Sequence, residues 1–192
     1  LGARLLGDEA HFGRVLGALR GLPQLASTII ETTEGMARGL AGRMRTAQSA
    51  YYLGRAFGYP LSAEAALKLK EVAYIHAEAY PAGESKHGPI ALISRGFPVF
   101  FIVVGEMDEL VEGNIEEMKA RGAYIVTAVP EDRITRIIAK NSDVVLPLPR
   151  TQLEAALVSY IIPYQLLAYY TAVERGLDPD KPRNLAKTVT VF

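Results

Sequence analysis

The sequence predicts an α/β fold: a three-layer αβα sandwich on a parallel sheet of about five strands, preceded by helices. Two features carry that reading. Short apolar runs alternate with helical segments from residue 98 to residue 175, the order that gives a parallel sheet between layers of helices. The run Pro98-Val99-Phe100-Phe101-Ile102-Val103-Val104-Gly105 is apolar almost throughout, as expected of a strand covered on both faces. The bulk agrees with a folded domain: 192 residues, 49% hydrophobic and 22% charged, enough for one core plus an appendage.

The elements follow in order. In the first fifty residues Leu19, Leu22, Ile29, Ile30, Met36, Leu40 and Met44 recur at roughly three- and four-residue intervals, the mark of amphipathic helices lying against something else. Residues 49–55 read as a short buried strand ending in a glycine-containing loop. Pro60, as a first helical residue, opens a helix predicted to run to about residue 79, rich in Ala, Leu, Lys and Glu. A loop at Pro81-Ala82-Gly83 precedes the strand at 98–105. A charged helix over 108–121 is stopped by Gly122. A strand (123–129), a helix (131–139), a strand (143–148) and a long helix (152–175) complete the pattern. Each crossover should be right-handed, and ligands of such sheets bind at the carboxyl ends of the strands.

Composition removes several classes of function. Lys+Arg and Asp+Glu both number 21, a formal net charge of zero, so no nucleic-acid partner is expected. There is no cysteine, which excludes disulfides, thiolate metal sites and a cysteine nucleophile within this chain. No uninterrupted apolar run reaches the roughly 18 residues of a membrane span, and no secretory signal is visible; the expectation is a cytoplasmic protein away from membranes. The chain begins at Leu1 rather than Met, which suggests a fragment. Neither dinucleotide nor P-loop glycine signatures occur. His11, His76 and His87 form no metal-spaced pair, and Asp178-Pro179-Asp180 reads as a turn rather than a calcium loop. No metal or cofactor is expected.

Three places could carry chemistry. On a helix of roughly 100° per residue, Glu64, Lys68, Glu71, Ile75 and Glu78 share one stripe, and Ala66, Leu69, Ala73 and His76 another. The first stripe admits a solvated face with a Glu64–Lys68 pair. It also admits a lysine held between two carboxylates, one of them set up as a general base. His76 reads as a packed core histidine. His87 lies in Glu84-Ser85-Lys86-His87-Gly88-Pro89, where Gly-Pro turns the chain away from helix. It suits either an exposed polar residue or an imidazole moving protons near neutral pH. The C-terminal segment carries Arg and Lys among β-branched residues, as if it docks. Lys187 there is either an exposed tail lysine or one buried against a site, able to form an imine or activate a carbonyl.

Taken together, residues 66–80 with Lys68-Leu69-Lys70-Glu71, the segment Ala82-Gly83-Glu84-Ser85-Lys86-His87-Gly88-Pro89, and the tail Pro182-Arg183-Asn184-Leu185-Ala186-Lys187 resemble the C-terminal sugar-isomerase (SIS) domain of the glutamine–fructose-6-phosphate aminotransferases (isomerizing). The resemblance runs from about Gly21 to the end, with all three motifs in order. It implies a flavodoxin-like strand order. It also implies a division into residues 1–46, a helical connection from a missing preceding SIS domain, and residues 47–192, an SIS domain with a C-terminal catalytic tail. The family joins a glutaminase domain to two SIS domains. Ammonia from glutamine reaches fructose 6-phosphate, and the C2 imine rearranges to glucosamine 6-phosphate on the route to UDP-N-acetylglucosamine.

By that resemblance Glu71 is the base between C1 and C2, and His87 assists ring opening in the neighbouring subunit's site, which implies a homodimer. Lys187 sits at the sugar carbonyl, Lys68 supports the base, and the Ala186 backbone contacts the sugar. An aldose–ketose shift does need a carboxylate base, a proton shuttle at the ring oxygen and a cation near the carbonyl. Departures are Ala65 where the family usually has Gly and Phe192 where it has Glu. The family's Ser/Thr-rich phosphate loop belongs to the first SIS domain, and Gly54-Arg55-Ala56-Phe57-Gly58 does not supply it. With no glutaminase nucleophile either, these 192 residues alone are expected to show little or no activity. Two other readings stand beside this one: an SIS-type glucosamine-6-phosphate deaminase, and a non-catalytic sugar-phosphate-binding or dimerisation module. Retention of Glu71, His87 and Lys187 together argues against the last.

Overall fold

A computed structural model describes residues 5, 7–105 and 110–185. Helix α1 (Glu9–Met44) begins at Asp8, whose carboxylate accepts the His11 backbone N–H at 2.9 Å, an N-cap that also places negative charge at the positive helix end. Its core-facing stripe is Ile29, Thr33, Ala37, Leu40, Ala41 and Met44. Burial is thus confined to its second half. The chain then enters β1 (Ser49–Gly54), α2 (Gly58–Ala73), β2 (His76–Pro81), two 3-10 turns (Ala82–His87 and Pro89–Leu92) and β3 (Pro98–Ile102). Next come α3 (Val111–Lys119), β4 (Tyr124–Pro130), a 3-10 turn (Glu131–Arg133), α4 (Arg136–Asn141), β5 (Val144–Leu148), α5 (Leu153–Ser159) and α6 (Ile162–Glu174).

All five strands pair in parallel in the order β2-β1-β3-β4-β5, the flavodoxin-like order that the sequence reading expects. Alternation along each strand sorts the side chains into two cores. Ala50, Tyr52, Phe100, Ile102, Val126, Ala128, Leu146 and Leu148 face α1, α2, α5 and α6. Tyr51, Leu53, Val99, Phe101, Ile125 and Val129 face α3, α4 and the first 3-10 turn. The Tyr52 and Phe100 rings stack at 4.6 Å, with the Tyr164 ring edge-on to both. The Tyr164 hydroxyl donates to the Phe101 carbonyl at 3.2 Å, so this polar group is satisfied inside the first core.

Three expectations need correction. The helix read as continuing to residue 79 stops at Ala73, and residues 76–81 are strand β2 on the sheet edge. The turn is made by Tyr74, in the left-handed region at φ 54°. The Ala-rich run His76-Ala77-Glu78-Ala79-Tyr80 carries a two-residue alternation as readily as a helical one, and tertiary pairing with β1 decides between them. Consequently His76 is not a core histidine. Its ring is exposed, 3.3 Å from the Glu78 carboxylate, on a strand whose buried face is Ala77 and Ala79. The helix read over 152–175 is two helices, broken at Tyr160-Ile161 ahead of Pro163, a proline that starts α6 where no N–H is needed.

The stretch Leu153–Glu174 is long and apolar enough, with mean hydropathy 1.2, to cross a membrane by length and composition. Here more than half of it is buried inside the protein, packed on α1 and α2 as part of the first core.

The β1–α2 turn is tightly packed at Gly54. A Cβ at Gly54 would run into the Gly58 carbonyl group and lie 2.7 Å from the Tyr59 nitrogen. All three are backbone atoms and have no rotamer to escape into. Gly54→Ala should therefore destabilise the protein by about 1–3 kcal/mol, the usual range for overpacking, or more; a urea midpoint equal to that of the parent would show that the turn can relax.

Candidate functional site

Two regions hold the chemistry-bearing residues, and they lie at opposite ends of the sheet. The first is the crevice at the carboxyl ends of the strands, where the crossover direction reverses between β1 and β3. A cavity of about 350 Å³ opens there. Ala56 and Phe57 line it after β1, Gly105 after β3, Arg133 after β4, and Arg150 and Thr151 after β5. Arg150 is 3.4 Å from the Asp132 carboxylate. Neither Glu71 nor His87, the described residues singled out from the sequence as catalytic, lines this cavity.

The second region is the last turn of α2. This helix starts beside the carboxyl end of β1 and runs antiparallel to it, so its final turn reaches the opposite end of the sheet, where β2 begins. The i, i+3 and i+4 spacing brings Glu64, Lys68 and Glu71 onto one surface. The Lys68 ammonium donates to Glu71 at 2.7 Å and lies 3.3 Å from Glu64. The solvated i,i+4 pair and the lysine between two carboxylates are thus both present. Their exposures set their character: Lys68 and Glu71 side chains are 29% and 28% exposed, Glu64 47%. The Glu71 hydrogen bond, ahead of the Glu64 bond, holds the Lys68 pKa above the ordinary lysine value against a smaller opposing effect of burial.

Beside this trio a cavity of about 280 Å³ is lined by Leu67, Lys70, Glu71 and Tyr74 from α2 and by Arg183, Asn184 and Leu185 from the tail. The tail is tied down at Arg183. Its backbone N–H donates to the Tyr74 hydroxyl at 2.7 Å, and its guanidinium lies 4.2 Å from the Tyr74 ring centroid, a cation–π distance. The described part of the tail thus touches the last turn of α2 at Arg183. Lys187 and Ala186 lie outside the described residues.

His87 closes the first 3-10 turn and is exposed. That turn is pinned by the buried Ser85 hydroxyl, which donates to the Ala82 carbonyl at 2.7 Å, and by the approach of Lys86 to Glu117 of α3 at 3.9 Å. Ala82 packs in the second core, whereas α2 packs in the first. Glu71 and His87 accordingly stand on opposite faces of the sheet. One copy of the chain does not bring them together.

Sequence reading passed over Tyr74 and the pairing partners on β2. Glu78 accepts the Tyr80 hydroxyl at 2.6 Å, and that bond is the main cause of a Tyr80 pKa pushed up to about 12. The alternation of His76, Glu78 and Tyr80 was the available signal, masked by the helical assignment. Tyr74 carried no signal beyond being aromatic at a helix boundary. Among the described residues no three His, Asp or Glu side chains converge as metal ligands.

Comparison with known proteins gives a consistent neighbourhood. The SIS domain family matches residues 43–175. The glutamine–fructose-6-phosphate aminotransferase (isomerizing) of Pyrobaculum aerophilum is 56% identical over 174 residues, which cover 90% of this chain and 28% of that protein. The same-named protein of Aeropyrum pernix is 52% identical over 190 residues, 98% of this chain and 30% of its own length. The chain therefore spans about a third of the length of these relatives. Among solved structures, the C-terminal domain of glucosamine-fructose-6-phosphate aminotransferase from Francisella tularensis superposes with a TM-score of 0.76 at 35% identity, covering 85% of this chain and 46% of that one. A glucosamine-6-phosphate deaminase from Thermotoga maritima gives 0.61 at 28% identity, covering 85% and 48%.

The raised Lys68 pKa has a definite consequence for stability. A lysine raised in the folded state contributes fully below its unfolded pKa, about 10.4, and loses that contribution as pH rises through the folded value. The pair is partly solvated, so the amount is at most about 1 kcal/mol. Lys68→Met should flatten the alkaline loss of stability relative to the parent, measured as urea midpoints at pH 8 and pH 11. Parallel pH profiles for the two proteins would show that the ion pair adds nothing.

Proposed function

The chain belongs to the SIS domain family, and on that premise we propose that it forms the C-terminal isomerase domain of a glutamine–fructose-6-phosphate aminotransferase (isomerizing). In this reading ammonia freed from glutamine by an upstream glutaminase domain condenses with fructose 6-phosphate at C2. The imine then rearranges to glucosamine 6-phosphate, in the cytoplasm where sugar phosphates are found. The observation that carries the proposal is Glu71: a half-buried carboxylate with Lys68 at 2.7 Å, on the wall of an open cavity that the tail borders.

The chemistry follows from what each group can do. The Glu71 carboxylate takes a proton from C1 and returns it to C2, while the O1 hydroxyl proton passes to the nitrogen, so that the C=N bond at C2 becomes C–NH2 and the C1 hydroxyl becomes the C=O of the aldose. The Lys68 ammonium, 2.7 Å away, keeps the carboxylate oriented when no substrate is bound. Lys187, two positions past Leu185, supplies the cation at the carbonyl, and the Ala186 backbone contacts the sugar. His87 moves the ring-oxygen proton during opening. Because Glu71 and His87 occupy opposite faces of the sheet, His87 serves the site of a second copy, and the working unit is a homodimer with a shared site. The sugar phosphate also requires a phosphate cradle that the β1–α2 turn does not supply, which an upstream SIS domain provides. The deaminase reading rests on the Thermotoga likeness and would run the same three residues in the reverse direction.

In the full-length polypeptide, Glu71→Gln should lower kcat for glucosamine 6-phosphate formation by about 10²–10⁴, the usual contribution of a general base, with fructose 6-phosphate binding little changed. Unchanged turnover would remove Glu71 from its role. Parallel assays with glutamine and with ammonium separate the two enzymes, since synthesis driven by glutamine favours the synthase and net breakdown of glucosamine 6-phosphate favours the deaminase. The shared site has its own test. Glu71→Gln and His87→Ala proteins, each inactive, should regain activity when their protomers are mixed and allowed to exchange. Failure of exchanged mixtures to do so would place His87 and Glu71 in the same copy's site or remove His87 from it.

A further inference from the structure

Tyr74 is a costly residue where it stands. It occupies the position just past α2 with φ 54°, a place that glycine or asparagine fills without strain and a bulky side chain does not. Strain of this kind persists only where surrounding contacts over-determine it, and it marks functional positions more often than idle ones. The contacts here come from the tail. The Tyr74 hydroxyl accepts the Arg183 backbone N–H at 2.7 Å, and the Arg183 guanidinium covers the ring at 4.2 Å. Asn184, the next residue, is itself left-handed at φ 63°, so the tail turns sharply at the point where it is gripped. Tyr74 is three positions from Glu71, and both line the open cavity that Arg183, Asn184 and Leu185 border.

We propose that Tyr74 is a positioning residue, a latch that seats the C-terminal tail through Arg183 against the last turn of α2 and so fixes the tail's register over Glu71. The role rests on the function proposed above, but the latch itself does not. The left-handed backbone aims the ring away from the helix axis and toward the tail. The hydroxyl sets how far along the tail the grip falls, because it bonds one particular amide. The stacked guanidinium, exposed on its outer side, adds an attraction that needs no burial.

Two substitutions separate a latch from a helix cap. In Tyr74→Gly the backbone strain disappears, so the melting temperature should stay near that of the parent, while the tail loses its hold. Hydrogen–deuterium exchange of the full-length polypeptide, read on peptides covering residues 176–192, should quicken several-fold in Tyr74→Gly. Tyr74→Phe keeps the ring and removes only the acceptor, and its exchange should rise by about fivefold or less, the worth of one hydrogen bond. Arg183→Ala releases the ring from the other side and should quicken the same peptides. Synthase assays should show kcat reduced in the order Gly, then Phe, with the KM for fructose 6-phosphate little changed. Tail exchange unaltered in both Tyr74→Gly and Arg183→Ala overturns the latch. A freed tail with unchanged kcat overturns the positioning role. Failure of the proposed function shows elsewhere, as undiminished turnover in Glu71→Gln, and leaves the exchange result standing on its own.

Discussion

The arrangement of this molecule follows from one constraint, that a parallel sheet must be covered on both faces. Five strands in the order β2-β1-β3-β4-β5 satisfy it by sending α2 over one face and the connection from β2 to β3 over the other. Crossovers of one hand that travel in opposite directions must lie on opposite faces. The separation of Glu71 from His87 is therefore topological. It does not depend on side-chain rotamers or on the exact ends of any element, and no local rearrangement removes it. The same reversal opens the crevice at the carboxyl ends of β1 and β3, which here is lined by Arg133 and Arg150 rather than by the motif residues.

Within that frame the polar chemistry is placed cheaply. Lys68 and its two carboxylates lie on the outer surface of a helix whose inner surface is Leu61, Ala65, Ala66, Leu69 and Ala73. The apolar stripe orients the helix, and the charged stripe follows from the 3.6-residue period without separate provision. A carboxylate so placed keeps access to solvent and to a ligand while a neighbouring ammonium restrains it. A deeply buried carboxylate would need full compensation for lost hydration. Among the described residues the tail adds a further wall of the cavity, held at Arg183 by a hydrogen bond and a stacked ring.

The fold was readable because its strongest signals were long and unambiguous. The run through Phe100 and Phe101, the Gly122 stop and the alternation of elements thereafter all concern buried apolar residues, whose pattern is dictated by burial itself. What was misread lay where two periodicities coincide. Ala73, Ala77 and Ala79 suit a helix face and a strand face alike, and the break between them falls at a tyrosine, not at the glycine that ordinarily announces a left-handed turn. The position of His76 followed that error. Lys68 and Glu71 were legible because α2 is regular at that point, and their spacing alone brought them together. The partnership of Tyr74 with Arg183 was not, since a contact across more than a hundred residues depends on where α6 delivers the chain. That α5 and α6 are separate helices was hinted at only by Pro163.

Helix α1 gives the molecule one more property. Its 36 residues amount to about 54 Å at 1.5 Å per residue, yet its fully buried stripe begins only at Ile29 and its packing on the core at Leu25, so its amino-terminal turns lie ahead of that core contact. A continuous helix couples distance to rotation. Each residue added to or removed from the amino-terminal half displaces any segment joined to its amino-terminal end by about 1.5 Å and turns it by about 100°. The length of that half is therefore a phase as well as a spacing. Changes of about seven residues, two turns, nearly restore the original facing, whereas changes of two or five present the opposite side. Drift in the sequence of this stretch is consequently tolerable in a way that drift in its length is not.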